Sequence, residues 1–184
     1  MPARPAHAIE PSLLASFRGV AYCHVPADEP IRLERLVSAD GDDDRWNAPG
    51  EPTLYLATDP AIALAELARH ADLYPGMPPF RRRLLALRVS LERLVDLRKP
   101  DQIKRFGVGS ETAFRDRDIA RRVAAEARAE EGCVGLLVPS MAFLDDSRRG
   151  NIVLFMERWP EGVTAIIDTT IDAGLVELRP AAAR

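Results

Sequence analysis

Short segments of β type outnumber helical segments along this 184-residue chain, and the two kinds do not alternate regularly. Regular alternation would predict a parallel, doubly wound sheet, whereas this order predicts an α+β domain with a mixed or antiparallel sheet. We expect five or six strands against two or three helices. The candidate strand segments are residues 20–25, 53–57, 84–89, 94–97, 133–138 and 151–156, to which the C-terminal part of the chain adds the segments 163–167 and 175–178.

Helices are predicted where apolar side chains recur on one face and turn or cap residues flank them. One helix has Pro60 at its first position, with Thr58 or Asp59 as its cap. Gly132 is expected to end another, and Ser12 to cap a short first helix. The candidate helices are residues 12–17, 60–70 and 116–131.

The composition is that of a globular protein, with 47% hydrophobic and 29% charged residues. We expect a loose tail over residues 1–10 and a single domain over residues 11–184. The net charge of −3 gives no basic footprint for nucleic acid. No apolar run reaches the about 18 residues of a membrane span, and the first residues lack a signal-peptide core, so we expect a cytosolic protein.

The cysteines and histidines do not predict a metal site. Cys23 and Cys133 are too few for a disulfide framework and form no CxxC pair. The histidines, His7, His24 and His70, lack the spacing of metal-ligand pairs such as H-E-x-x-H. We therefore expect no metal, and we expect each histidine to be structural or exposed.

Three polar residues stand out in the first half of the chain. Arg45 follows an acidic loop and is either a solvated arginine stacked on Trp46 or an anion clamp. Glu66 lies within an apolar helix and is either exposed at its edge or a general base or oxocarbenium stabiliser. Tyr55, on the preceding strand, is either a core aromatic or part of the same site wall.

Two further candidates flank the predicted strands of the second half. Ser140 follows a buried strand and is either a turn or cap residue or a site residue. Asn151 opens the next strand and either hydrogen-bonds the loop or supports a site. The clusters at residues 81–83 and 148–149 are arginine runs, which favour solvated faces or contacts to an acidic partner.

Five short segments, taken in order, resemble the RES domain, a family named for its Arg, Glu and Ser. The resemblance spans about residues 18–156, most of the chain. The segments are Arg45-Trp46-Asn47-x-Pro49-Gly50, Leu54-Tyr55-Leu56-Ala57, Ala63-Leu64-Ala65-Glu66, Gly135-Leu136-x-x-Pro139-Ser140 and Asn151-Ile152-Val153-Leu154-Phe155.

The resemblance implies a fold similar to that of ADP-ribosyltransferase toxins, and an enzyme with NAD as its substrate. By the same resemblance, Arg45 binds the phosphates and Tyr55 borders the nicotinamide riboside. Glu66 contacts the ribose and stabilises positive charge as the glycosidic bond breaks. Ser140 holds the nicotinamide end or the ribose, and Asn151 supports the site.

The sequence departs from the family pattern on the first strand. The family usually has a Tyr-Arg pair there, whereas Tyr22 is followed by Cys23 in this chain. Either Cys23 replaces the arginine, or Arg18 supplies it from a shifted register. Tyr22 and Arg18 are therefore candidate substrate-binding residues, and a true loss of the arginine would weaken phosphate binding.

Three functions remain open on this basis. The first is a toxin that cleaves the nicotinamide–ribose bond of NAD by hydrolysis or phosphorolysis. The second is an ADP-ribosyltransferase that modifies one host protein, and the third is a catalytically weakened RES-like binding module. The resemblance also implies a cognate antitoxin of helix-turn-helix type that covers the site, and a homodimer. We expect no direct contact with nucleic acid or membrane.

Overall fold

Seven strands and three α-helices make up the described part of the chain. The computed structural model describes residues 14–38, 44–72, 78–144, 146 and 148–178. The strands are β1 (Leu14–Pro26), β2 (Val37–Ser38), β3 (Thr53–Ala57), β4 (Phe80–Asp96), β5 (Gly135–Pro139), β6 (Gly150–Phe155) and β7 (Ile167–Leu178). The helices are α1 (Pro60–Asp72), α2 (Pro100–Arg105) and α3 (Arg117–Ala129).

The strands form one mixed sheet in which five members close into a circuit. The circuit runs β1–β3–β6–β5–β4 and returns to β1, because β1 pairs with both β3 and β4. Strand β2 is added to β3, and β7 to β4. Among the described strands, only β4 and β5 pair in parallel. The prediction of a sheet-rich α+β domain with a mixed sheet is confirmed, while the likeness to ADP-ribosyltransferase toxins stays a prediction.

Alternation along the strands separates two apolar cores. On β6, Ile152 and Leu154 face the interior of the circuit, whereas Val153 and Phe155 face the layer that contains α3. Side chains of a strand point alternately to its two faces, so one strand serves both cores. A third, smaller cluster lies under α1 and includes Ile62.

Local sequence signals explain where the two longer helices begin. The Asp59 carboxylate accepts a hydrogen bond of 2.7 Å from the Ala61 amide, at the end of α1 that starts with Pro60. Asp116 caps α3 in the same way, accepting from the amides of residues 118 and 119. Both caps satisfy amides that a helix leaves unpaired at its first turn.

Two of the predicted strands are parts of one longer strand. Residues 84–89 and 94–97 were expected as separate segments, whereas residues 84–89 and 94–96 both lie in β4. A register shift in the pairing with β1 and a positive φ of 65° at Arg93 mark a β-bulge between them. The polar residues around the bulge resemble a turn in sequence, but the hydrogen bonds to β1 continue on both sides.

The predictions were also wrong at both ends of the domain. Residues 14–17 belong to β1, not to a short helix, because they pair with β4. The expected Ser12 cap and the tail over residues 1–10 lie outside the described residues. The predicted strand at residues 163–167 begins as a 3₁₀ helix, Val163–Ala165, before β7 starts. Helix α2 was not predicted.

The helices of the described residues include none that is long and apolar enough to cross a membrane.

The interior of the circuit should dominate stability. Leu154 is fully buried in it, whereas Leu175 on β7 is 52% exposed. We expect Leu154→Ala to lower the free energy of unfolding by about 2–5 kcal/mol, because it removes buried methyl groups and leaves a cavity. Leu175→Ala, the same substitution at the surface, should cost less than about 0.5 kcal/mol. Urea denaturation measures both, and equal losses would contradict this assignment of the core.

Candidate functional site

A cavity of about 390 Å³ lies where strands β1, β3 and β6 meet helix α1 and loops from the first half of the chain. This volume falls in the range of small-molecule sites. Five of the candidate residues named from the sequence line it. They are Tyr22, Arg45, Tyr55, Glu66 and Asn151.

Glu66 and Ser140 are joined by a hydrogen bond across two elements. The Ser140 hydroxyl donates to Glu66 Oε1 at 3.2 Å and accepts from the Ala142 amide at the same distance. Ser140 is fully buried and does not line the cavity, so its contribution there passes through Glu66. The second oxygen of Glu66 lies 3.5 Å from Arg69 Nε. The carboxylate is thus held at the cavity wall from two sides.

Arg45 is fixed by backbone groups. Its Nη1 donates to the carbonyls of Phe114 and Arg115 at 2.7 and 2.8 Å. Within the described residues no carboxylate lies at salt-bridge distance from it. Burial, together with the positive charges of Arg69 and Arg117, lowers the pKa of Arg45 from its ordinary value. A positive group held in such surroundings favours an anion beside it.

The alternative that Arg45 stacks on the neighbouring indole is not what the structure describes. Trp46 is 4% exposed and packs in the core beside Phe114, with ring centroids 5.0 Å apart and a tilt of 57°. The indole therefore holds the loop down, and the guanidinium beside it extends toward the cavity.

Tyr55 combines the two roles that the sequence left open. Its hydroxyl donates to Asn47 Oδ1 at 2.5 Å and accepts from the Trp46 amide at 3.1 Å, while its ring packs against the core under α3. Burial raises the pKa of Tyr55 above its usual range. Tyr55 is therefore a neutral wall residue that fixes the loop carrying Arg45. Asn47, fully buried, was quoted in the motif but not expected in this role.

Tyr22 and Asn151 bracket the start of α1. Tyr22 pairs with Ala57 at the end of β3, and Asn151 pairs with the same residue from the other side. Tyr22 and Asn151 therefore lie on the two strands that flank β3 where it leads into α1. Strands β5 and β6 also approach closely near this point, because a Cβ on Gly150 would lie 2.4 Å from the Val138 carbonyl oxygen.

The structure does not bring Arg18 to the cavity. Arg18 pairs with Glu92 at the surface, at 2.8 Å and with 70% of its side chain exposed. Cys23 does line the cavity, but its side chain belongs to the apolar core of the circuit. Of the two explanations offered for the missing arginine, the geometry favours replacement by Cys23 over a shifted register.

The cavity has a local charge opposite to that of the chain. Its lining includes six arginines and three carboxylates, which leaves an excess of three positive charges, while the whole chain carries −3. Four of these arginines, Arg32, Arg35, Arg69 and Arg117, were not expected from the sequence. Arg82 was expected, as one of a run, on a solvated face or in contact with an acidic partner.

The spacing of residues along the sequence predicts part of this arrangement of arginines. Arg69 is three residues after Glu66, which places the two side chains on one helix face. Alternation on β4 separates Arg82 from Arg81 and Arg83. The convergence of Arg32, Arg35 and Arg117 on one cavity depends on tertiary contacts that spacing does not reveal.

Among the described residues, no group of three or more His, Cys, Asp or Glu side chains is arranged to hold a metal ion.

A model of the RES domain family matches residues 29–175, most of the chain. The chain belongs to the RES domain family. The matched part of the RES domain contains Arg45, Tyr55, Glu66, Ser140 and Asn151, and it begins after Tyr22. The comparison with curated proteins gives no match.

Solved structures include a similar fold. The RES domain superposes on a chain of the crystal structure of the M. tuberculosis MbcT–MbcA toxin–antitoxin complex with a TM-score of 0.59. The two chains are 18% identical, and the similarity covers 86% of each. At this identity the likeness shows a shared fold.

Both cysteines of this RES domain should be unreactive in the folded state. Burial raises the pKa of Cys23 to about 12 and also raises the pKa of Cys133. Because the thiolate is the reactive form, we expect a disulfide reagent at pH 8 to label almost no thiol in the native protein and both in denaturant. A Cys23 that reacts at once when folded would contradict its place in the core.

Proposed function

We propose that this RES domain is a toxin that cleaves the bond between nicotinamide and ribose in NAD. The observation that carries the proposal is the pairing of opposite charges in one cavity. The Glu66 carboxylate, held by Ser140, shares the cavity with Arg45, which has no carboxylate partner among the described residues. NAD carries a cationic nicotinamide and an anionic pyrophosphate, so this pair of groups complements it.

The chemistry requires little proton transfer to the leaving group. The bond between ribose C1′ and the nicotinamide nitrogen breaks, and its electron pair leaves with nicotinamide, which becomes neutral. The ribose is left with oxocarbenium character. In this proposal Glu66 stabilises that charge, since a preorganised group of opposite charge acts where charge develops.

The other residues have distinct roles in the proposal. Arg45 binds the pyrophosphate, and its bonds to two carbonyls keep it from folding onto Glu66. Tyr55 borders the nicotinamide riboside as a neutral ring. Ser140 positions Glu66, and Asn151 and Tyr22 line the remaining wall.

The acceptor of the ribosyl group is water or inorganic phosphate. With water, the new C1′–O bond yields ADP-ribose and a proton is released to solvent. With inorganic phosphate, the new bond joins C1′ to a phosphate oxygen, and the product is ADP-ribose with a phosphate on C1′. Membership of the RES family supports action on NAD, and the fold shared with a chain of a toxin–antitoxin complex supports a toxin neutralised by a protein antitoxin.

Purified protein should consume NAD and release nicotinamide. Chromatography measures both compounds, in buffer with inorganic phosphate and in buffer without it. Glu66→Gln keeps the size of the side chain and removes its charge, so we expect the rate to fall by at least about 100-fold. Glu92→Gln is the matched control, because Glu92 lies at the surface with 65% of its side chain exposed. Wild-type protein that leaves NAD intact in both buffers would exclude hydrolysis and phosphorolysis.

Expression of the protein in bacteria should arrest growth through the same residue. We expect Glu66→Gln to relieve the arrest and Glu92→Gln to preserve it. If the adjacent gene encodes the antitoxin, its co-expression should restore growth of cells that express the wild-type protein, because the antitoxin would cover the cavity mouth. Arrest of equal strength by the Glu66→Gln variant would contradict an NAD-based toxicity.

A further inference from the structure

The end of the cavity formed by β1 and β4 carries an arginine to which the proposed mechanism gives no role. Arg82 lies on β4 opposite Pro26, and the next pair on the same face is Leu84 with His24. Residues directly opposite in an antiparallel pair project to the same face. Arg82 therefore shares a face with His24, and both line the cavity that contains Glu66.

The guanidinium of Arg82 is oriented by His24. Its Nε and Nη2 lie 3.3 and 3.1 Å from His24 Nδ1. Because a guanidinium only donates hydrogen bonds, Nδ1 is the acceptor in this pair. One edge of the guanidinium is thus held by a neutral ring. In the described part of the chain, Nη1 has no hydrogen-bond acceptor.

No carboxylate within the described residues neutralises Arg82 at salt-bridge distance. Burial lowers the pKa of Arg82, and the more distant charges of Glu29 and Asp28 act in the opposite direction. Glu29 is itself paired with Arg35. A half-buried guanidinium without a carboxylate partner is stabilised by an oxyanion that accepts from its remaining edge.

We propose that Arg82 is a phosphate-binding residue of the dinucleotide site. This inference rests on the proposed function. Cys23 precedes His24 on β1, but its side chain faces the apolar core and offers no charge to a phosphate. The neighbouring strand brings an arginine to the same end of the cavity, and His24 acts as its positioning residue.

Titration calorimetry with ADP-ribose tests the proposal. This ligand keeps the pyrophosphate and has no nicotinamide to lose. Arg82→Gln should weaken ADP-ribose binding by about 10- to 150-fold, the range expected for a lost charge-assisted hydrogen-bond pair. Adenosine, which has no phosphate, should bind both proteins equally. Arg82→Lys keeps the charge without the planar fork and should bind ADP-ribose with intermediate strength.

Arg81→Gln is the matched control, because Arg81 precedes Arg82 on β4, is exposed and does not line the cavity. It should bind ADP-ribose as the wild type does. ADP-ribose 2′-phosphate separates two sources of the phosphate. An equal loss for both ligands assigns Arg82 to the pyrophosphate, and a loss confined to the second assigns it to a 2′-phosphate.

The outcomes separate the two proposals. If Arg82→Gln and Arg82→Lys are folded by circular dichroism and bind all ligands as Arg81→Gln does, the role of Arg82 is overturned while the proposed function stands. If the wild type neither binds ADP-ribose nor cleaves NAD, the proposed function itself fails. A loss of adenosine binding equal to the loss of ADP-ribose binding would indicate a structural role and would also overturn the inference.

Discussion

The pairing of β4 with its neighbours on both edges is the constraint on which the fold depends. One edge bonds to β1 over almost the whole of both strands, and the other bonds first to β7 and then to β5. Because β1 also reaches β3, this arrangement closes the circuit and encloses an apolar core. The same closure fixes the end of β1 beside α1, which is where the cavity forms. Fold and site are therefore consequences of one set of strand pairings.

Elements with strong local signals were predictable, and elements defined by distant partners were not. The strand at residues 53–57 and the helix after Pro60 agree with the structure because alternation, caps and turns are encoded within a few residues. Strand β4 was divided in two because its bulge at Arg93 is polar, and only pairing with β1 carries the strand through it. The start of β1 was likewise assigned to a helix, because only its pairing with β4 identifies it as a strand.

The residues of the candidate site also differ in whether the sequence alone could predict them. Glu66 and Arg45 were identifiable because an unusual residue type interrupts an apolar or acidic context, whereas Tyr55 was predicted as a site residue only through the family resemblance. Arg82 was indistinguishable in sequence from Arg81 and Arg83, since only the antiparallel register of β4 with β1 places it beside His24 at the cavity. A total charge of −3 likewise gave no indication of the positive excess inside the cavity.

Under the proposed function, the separation of charges within the cavity suits a ligand that has both a cationic and an anionic part. Arg45 is bound to backbone carbonyls, while Glu66 is held by Ser140 and lies 3.5 Å from Arg69. Arg45 and Glu66 form no close ion pair with each other within the described residues, so the Arg45 guanidinium keeps its field for a ligand, whereas the Glu66 carboxylate is shared with Arg69. In surroundings of low polarity such fields are stronger than in water. Under the proposed function, a dinucleotide with a cationic ring at one end and phosphates in its middle interacts favourably with both groups.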